Sequence, residues 1–315
     1  MKRSFRDADF ARLAEFWNGC APEKYAIDGE QLRLNTVDSP VFDWGASCIE
    51  DADGEILGFV SIKKSASSLY SGPDQDVAHL SAIVYCEPQY GLDLMAEVKM
   101  LLANRGYTRL QFGQDSRHFF PGCPDDYPSL CNFLTVEGFT EGGEVVDLER
   151  DLSDYKNPYP IPEGDEMRPL AEKDVPALNE FFDREFPARW KYDTMTKVGI
   201  EGPSCVFGLF HGDRIDGFAL IQDSSNKAPI GGAVWHVSMG SNWGALGAIG
   251  VAKALRGRGS GHALLGSALE CLRDRGVRQC IIDWTGLVDF YGRHGFVPTR
   301  RYKAMSLTLE GEGKR

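Results

Sequence analysis

Five short segments of this chain recur in the same order at nearly constant separation. DFARLAEFW at 9–17 is matched by DVPALNEFF at 174–182, an offset of 174 − 9 = 165. DGEILGFV at 53–60 resembles GDRIDGFAL at 212–220, and Gly58 to Gly217 gives 159. AIV ending at Val84 resembles AIGV ending at Val251, offset 167. LLANRGYTRL at 101–110 resembles CLRDRGVRQC at 271–280, Gly106 to Gly276, offset 170. VEGF at 136–139 resembles RHGF at 293–296, Gly138 to Gly295, offset 157. Two unrelated α/β domains could share helix–glycine–strand punctuation, but five ordered matches point to one fold used twice. A chain of 315 residues is long enough for two such units, each burying its own core.

The break between them is visible in DLSDYKNPYPIPEGDEM at 151–167, where Pro158, Pro160 and Pro162 stand among polar residues without periodicity. Prolines remove donors and bias the chain toward extended backbone, so residues 151–165 read as a semi-rigid linker between domains 1–150 and 166–315. Each half runs short strand, amphipathic helix, hairpin, central strand, long helix, buried strand, short helix and terminal strands, which is a mixed α/β class. The hairpins turn at Asp53-Gly54 and Gly212-Asp213. The second long helix keeps Leu264, Leu265, Ala268, Leu269 and Leu272 on one face and Ser267, Glu270, Arg273 and Asp274 on the other, with Gly276 as a stop.

The formal net charge of −12 argues against a nucleic-acid binder, because neutralising phosphates needs a basic face. It suits a cationic or amine-bearing substrate. The N-terminus MKRSFRDADFARLAEFW has no continuous apolar run and does not read as a signal peptide. No stretch approaches the roughly 20 apolar residues of a membrane helix. The eight cysteines form no CxxC pair, none has an activating neighbour in sequence, and Cys205, Cys271 and Cys280 sit in apolar patterns, as reduced core thiols do. The six histidines have no metal-ligand spacing. The expectation is a reduced, cytoplasmic protein with no structural metal, no nucleic-acid partner and no membrane partner.

One stretch runs against the acidic background. LRGRGSGHALL, 255–265, interleaves Gly257, Gly259 and Gly261 with Arg256 and Arg258, between a strand and the long helix. Glycines allow positive φ and close approach of a ligand, and a helix start offers free N–H groups and partial positive charge. Together they form an anion site suited to a diphosphate, with the arginines adding cationic donors. The Walker pattern is absent and the dinucleotide fingerprint is a near miss, since His262 falls where GxGxxG needs its last glycine.

Arg256-x-x-Gly259-x-Gly261 resembles the Q/R-x-x-G-x-G/A signature of the GNAT superfamily of acyl-CoA N-acyltransferases, and DFYGRHGF at 289–296 resembles that family's FYxxxGF segment. The order of elements is similar too, so the chain resembles a tandem GNAT protein. The resemblance implies two twisted, mostly antiparallel sheets flanked by helices. It implies acetyl-CoA, or coenzyme A, as cofactor and a small-molecule amine as acceptor. Ile249, Gly250 and Val251 would pair through their backbone with the pantetheine arm. The amides of Gly257, Arg258, Gly259, Ser260 and Gly261 would hold the pyrophosphate, with Arg256 beside it. Tyr291 would donate a proton to the departing thiolate, while a backbone N–H of the central strand polarises the thioester carbonyl.

The base is open. WGALGAIGVA carries no carboxylate, leaving Asp283 in CIIDW, His236 in GGAVWHVSMG, or a water chain. Trp235, Trp243 and Trp284 either line an acceptor pocket or pack in the core, and Thr285 can cap the helix that bears Tyr291. A protein lysine or N-terminus is an alternative acceptor, and a non-catalytic acyl-CoA sensor is the alternative class. In the first half the equivalent turn, YCEPQYGLDLMAEV, has lost its arginines and two of its glycines, Glu87 and Asp93 bring negative charge, and Leu134 replaces the tyrosine. That half is expected to bind the cofactor poorly. The insertion 113–133, with its Phe119-Phe120 pair, either helps bind the acceptor or covers a hydrophobic edge.

Overall fold

The computed structural model describes residues 1–309. It is a mixed α/β chain of two compact units. The first comprises Met1–Ser68, Gly72–Val145 and the described residues 300–309; the second comprises Leu69–Ser71 and Val146–Thr299.

In the first unit the strands Cys48–Ala52, Glu55–Lys64 and Val77–Tyr85 form an antiparallel run. Val77–Tyr85 then pairs in parallel with Arg109–Phe112. The predicted hairpin turn is present, with Asp53 at φ +53° and Gly54 at +83°, the paired positive angles of a type I′ turn. Phe119 and Phe120 are buried, with ring centroids 5.1 and 6.0 Å from that of Trp17. The 113–133 insertion therefore fills the first unit's core, and this aromatic pair is not offered to an acceptor.

In the second unit the order is Asp165–Pro169, Val206–His211, Arg214–Asp223, Trp243–Val251, Gln279–Thr285 and then residues 146–151. Every pairing is antiparallel except that of Trp243–Val251 with Gln279–Thr285. The helix Ser260–Asp274 lays Leu264, Leu265, Ala268, Leu269 and Leu272 into the core, each fully buried, as the 3.6-residue period requires.

The sequence boundaries differ from this division in two places. The strand Thr140–Asp151 contributes 146–151 to the second unit, where Cys280 faces Arg150 and Ile282 faces Leu148. The final strand, from Arg300, joins the first unit, where Met305 faces Phe112. Strand pairing is non-local, and proline composition does not report it. Nor is 151–165 a free linker. Leu152 and Tyr155 are buried in the second unit's core. Asn157 donates from its backbone to Glu270 at 3.0 Å and lies over Gly266, where a Cβ would come within 1.9 Å of its side chain.

Candidate functional site

Trp243–Val251 and Gln279–Thr285 run together only from Trp243 opposite Gln279 to Leu246 opposite Ile282. Beyond that point they fork. Residues 243–246 are buried, whereas 247–251 are half-exposed. The register against Arg214–Asp223 shifts between Ala219 and Ile221, placing Gly247 and Ala248 opposite the single residue Leu220, a bulge of the kind that bends a strand.

The phase of the ladder shows what the fork exposes. Ala252 N donates to Asp216 O at 2.8 Å, and Val251 lies opposite Gly217. Antiparallel pairs alternate between bonded and non-bonded, so Gly250 faces its partner strand while Ile249 and Val251 turn their N–H and C=O toward the fork. Arg256 Nε reaches the Val251 carbonyl at 3.4 Å from that side. Gly250 is needed for space, because a Cβ there would lie 2.7 Å from the Phe186 ring.

This open edge ends at the glycine turn. Lys253–Leu255 make one 3₁₀ turn, Gly257 has φ +75°, and Gly259, at φ +86°, ends the turn before the helix starts at Ser260. No side chain caps that helix start, so its first amides depend on solvent or a ligand. Arg256, Gly257, Arg258 and Gly259 are exposed and Ser260 is buried. Glu185 anchors the turn by accepting the Lys253 N–H at 2.9 Å, and that bond holds its carboxyl below the usual range.

Tyr291 lies on the short helix Val288–Gly292, buried in the core cluster that includes Leu264, Leu265 and Ile282, with its ring 5.0 Å from that of Phe290. Thr285 accepts the Leu287 N–H at 3.0 Å in the turn before this helix, whose N-cap is Leu287 and which has no side-chain cap. The phenol is 5% exposed and donates to no group among the described residues. Burial and the Asp283 charge push its pKa well above 10.

Asp283 follows the last parallel pair. Pairing with residues 146–151 skips from Ile282 to Thr285, Trp284 takes φ +47°, and its N–H donates to buried Asp147 at 3.1 Å. Positive φ in a tryptophan is a strained conformation, found where surrounding contacts enforce it. The Asp283 carboxylate lies against Gly231, where a Cβ would come within 2.8 Å of both oxygens.

His236 opens the short helix His236–Met239. Its Nδ1 lies 3.1 Å from the Ala233 carbonyl, and its ring packs 5.4 Å from that of Trp243. Trp243 is the first residue of its strand, at the paired end away from the fork. Trp235 and Trp243 are buried core residues; Trp284 is half-exposed, beneath the Arg189 guanidinium at 5.0 Å. Cys280 and Cys205 are buried thiols, and burial pushes both up, Cys205 to about 11.

A polar chain behind the glycine turn escaped sequence reasoning. Tyr155 Oη lies 2.6 Å from His294 Nδ1, and His294 Nε2 lies 3.1 Å from His262 Nδ1. His262, third in the helix, is stacked between Tyr159 and Phe290, both at 4.5 Å. Leaving no hydrogen without an acceptor requires Tyr155 to donate to His294 and His294 to donate to His262, so His262 carries its proton on Nε2. Burial, His262 and Arg150 pull His294 down to about 4. The histidines are 32 residues apart in sequence, and no spacing rule joins them.

In the first unit the corresponding fork is closed. Parallel pairing stops at Leu80 opposite Phe112, but Gly113 N donates to Leu80 O at 2.9 Å and Ser81 donates to Asp115 at 3.0 Å. Asp115 pairs with Lys63 at 2.5 Å, both with fully buried side chains. Burial pushes the Asp115 pKa up, but Lys63, His79 and His118 outweigh it and hold the carboxyl below its usual range. Residues 81–84 are buried, unlike 247–251. The adjoining helix begins with Pro88, which has no N–H, and Leu134 is wholly buried.

The acetyltransferase (GNAT) family model matches residues 175–296. No curated protein matches the chain in sequence. Among solved structures, a GCN5-related glucosamine N-acetyltransferase region of a fungal multidomain GH3 β-N-acetylglucosaminidase superposes with TM-score 0.80 at 22% identity. That match covers 98% of this chain and 38% of the fungal one, so the chain corresponds to well under half of that protein. A GCN5-related N-acetyltransferase from Sphaerobacter thermophilus gives 0.72 at 18% identity, covering 99% and 96%. A tandem GNAT protein from the clavulanic acid biosynthesis pathway gives 0.69 at 13%, covering 99% of each chain.

Proposed function

Residues 175–296 belong to the acetyltransferase (GNAT) family within a tandem GNAT fold, and on that premise we propose that the second unit transfers an acetyl group from acetyl-CoA to a primary amine. The observation that carries the reading is the open strand edge at 247–251 leading into the uncapped, glycine-lined helix start. The fit is good. An extended amide-bearing arm matches the backbone groups of Ile249 and Val251, and a diphosphate matches the amides from Gly257 to Gly261 with Arg256 alongside. When bound, the acyl-CoA supplies the thioester whose acyl group is transferred.

The chain's residues divide the remaining work. An outward N–H of the open strand polarises the carbonyl oxygen. Tyr291 holds the proton that the departing sulfur takes, and its raised pKa keeps that proton in place at neutral pH. Asp283, close enough to act on Tyr291, accepts a proton from the attacking amine, directly or through water. The first unit acts as scaffold, since Asp115 and Lys63 fill its fork. The fungal region's name makes amino sugars the first acceptors to try.

The test is thiol release from acetyl-CoA across an amine panel that includes glucosamine. Arg256→Ala should weaken cofactor binding about tenfold, the loss of one charge-assisted contact. Tyr291→Phe should slow turnover about 10²-fold or more with binding nearly unchanged. Unchanged affinity in Arg256→Ala would overturn the assignment of the turn. Binding without turnover by any amine would favour the acyl-CoA sensor.

A further inference from the structure

The sulfurs of Cys123 and Cys131 lie 2.7 Å apart in the first unit, against about 2.05 Å in a formed disulfide. No other pair of cysteine sulfurs comes within hydrogen-bonding distance among the described residues. Cys123 is on the short strand Cys123–Pro124, which pairs with Tyr302 and Lys303. Cys131 is on the helix Pro128–Val136. The residues between them are pinned: Asp126 accepts from the Tyr25 phenol at 2.8 Å, Tyr127 donates to the Cys20 carbonyl at 3.1 Å, and Asp125 N donates to Arg301 O at 3.0 Å. The two thiols are held together by the fold and do not meet by diffusion. Their access differs, since Cys123 is 1% exposed and Cys131 is half-buried. Their acidity differs too. The hydrogen bond between the two sulfurs holds the Cys131 thiol below its ordinary pKa and, together with burial, pushes Cys123 above it. The contact joins residues eight apart in sequence.

We propose that Cys123 and Cys131 are a redox-active pair that closes to an intramolecular disulfide by exchange with a small disulfide such as oxidised glutathione. Cys131, the reachable sulfur, attacks as thiolate; the S–S bond of the oxidant breaks, a Cys131–glutathione mixed disulfide forms, and one glutathione leaves as thiolate. Cys123 then gives its proton to water or buffer and attacks the Cys131 sulfur, forming the Cys123–Cys131 bond and releasing the second glutathione. In sum, two protein thiols are oxidised and one oxidised glutathione becomes two reduced ones. The product ties the short strand to the helix across an eight-residue separation. The reaction is independent of acyl transfer.

Cleavage after Arg117 and Arg150 gives a peptide, 118–150, that holds both cysteines and no others. The full-length protein is equilibrated in glutathione buffers of rising oxidised fraction, then alkylated with iodoacetamide and digested with trypsin. The expected result is a peptide that carries neither alkyl group and is two hydrogens lighter than the free dithiol, while the other six cysteines are alkylated and reduction before alkylation restores the doubly alkylated mass. A peptide that stays doubly alkylated, or stops as a glutathione adduct, would overturn the proposal. In Cys123→Ser the adduct should accumulate on Cys131. An unmodified Cys131 in that variant would overturn the order of attack, and the wild-type result does not depend on the variant folding.

Discussion

Acidification from pH 7 to pH 4 should cost the second unit about 3 kcal/mol of stability through His294 alone. The ring is 1% exposed, and its surroundings hold its pKa at about 4, against about 6.5 in an unfolded chain. The folded-state value is the lower one, so the unfolded chain takes up the proton first. The stability is intact above about pH 6.5 and is lost as pH falls toward 4. A gap of about 2.5 units at 1.36 kcal/mol each sets a limit near 3.4 kcal/mol, of which about 3 is reached by pH 4. Burial opposes protonation most, followed by the His262 ring and the Arg150 guanidinium, and the contacts around the ring are fixed. Arg150 donates to the His294 backbone carbonyl, Nε2 already donates to His262, and Nδ1 receives the Tyr155 hydroxyl. The assay is urea unfolding at half-unit steps from pH 4 to 7 for the wild type and His294→Gln. The variant strands the Tyr155 hydroxyl and should be weaker by about 1–3 kcal/mol at pH 7. The informative quantity is the difference curve, which should fall by about 1.2 kcal/mol per pH unit between pH 6 and 4.5. A flat difference would mean that His294 titrates alike in both states, and the buried chain would not have the electrostatics described.

Other perturbations probe the remaining parts. Lys63→Met leaves Asp115 charged and buried without its 2.5 Å partner, and should destabilise the first unit by about 3–5 kcal/mol, read from the urea midpoint. Gly259→Ala meets no atom within 4 Å but must hold φ +86°; it should cost about 1–3 kcal/mol and weaken coenzyme A binding in calorimetry. Titration with coenzyme A should saturate at one equivalent per chain, since the first unit's fork is filled by Asp115; two equivalents would refute its role as scaffold.

The glycine turn, Arg256, Tyr291 and the doubled architecture were legible in sequence because each depends on local chemistry. Positive φ selects glycine, a helix start needs no distant partner, and a 3.6-residue apolar stripe announces its own face. The same local logic separated the two halves, since Pro88 and Leu134 are visible substitutions. It went wrong where position depends on long-range pairing. The proline-rich segment looked like a tether, yet Tyr155 and Leu152 drive it into the core. Strand exchange, the Tyr155–His294–His262 chain, the filled fork behind Ser81 and the Cys123–Cys131 contact all join residues whose proximity no local propensity encodes. Sequence by itself determined which half carries the turn rich in glycine and arginine. Only the tertiary structure decided that one fork stays open while the other is closed, because that depends on whether a buried ion pair or half-exposed backbone lies beyond the last paired residues.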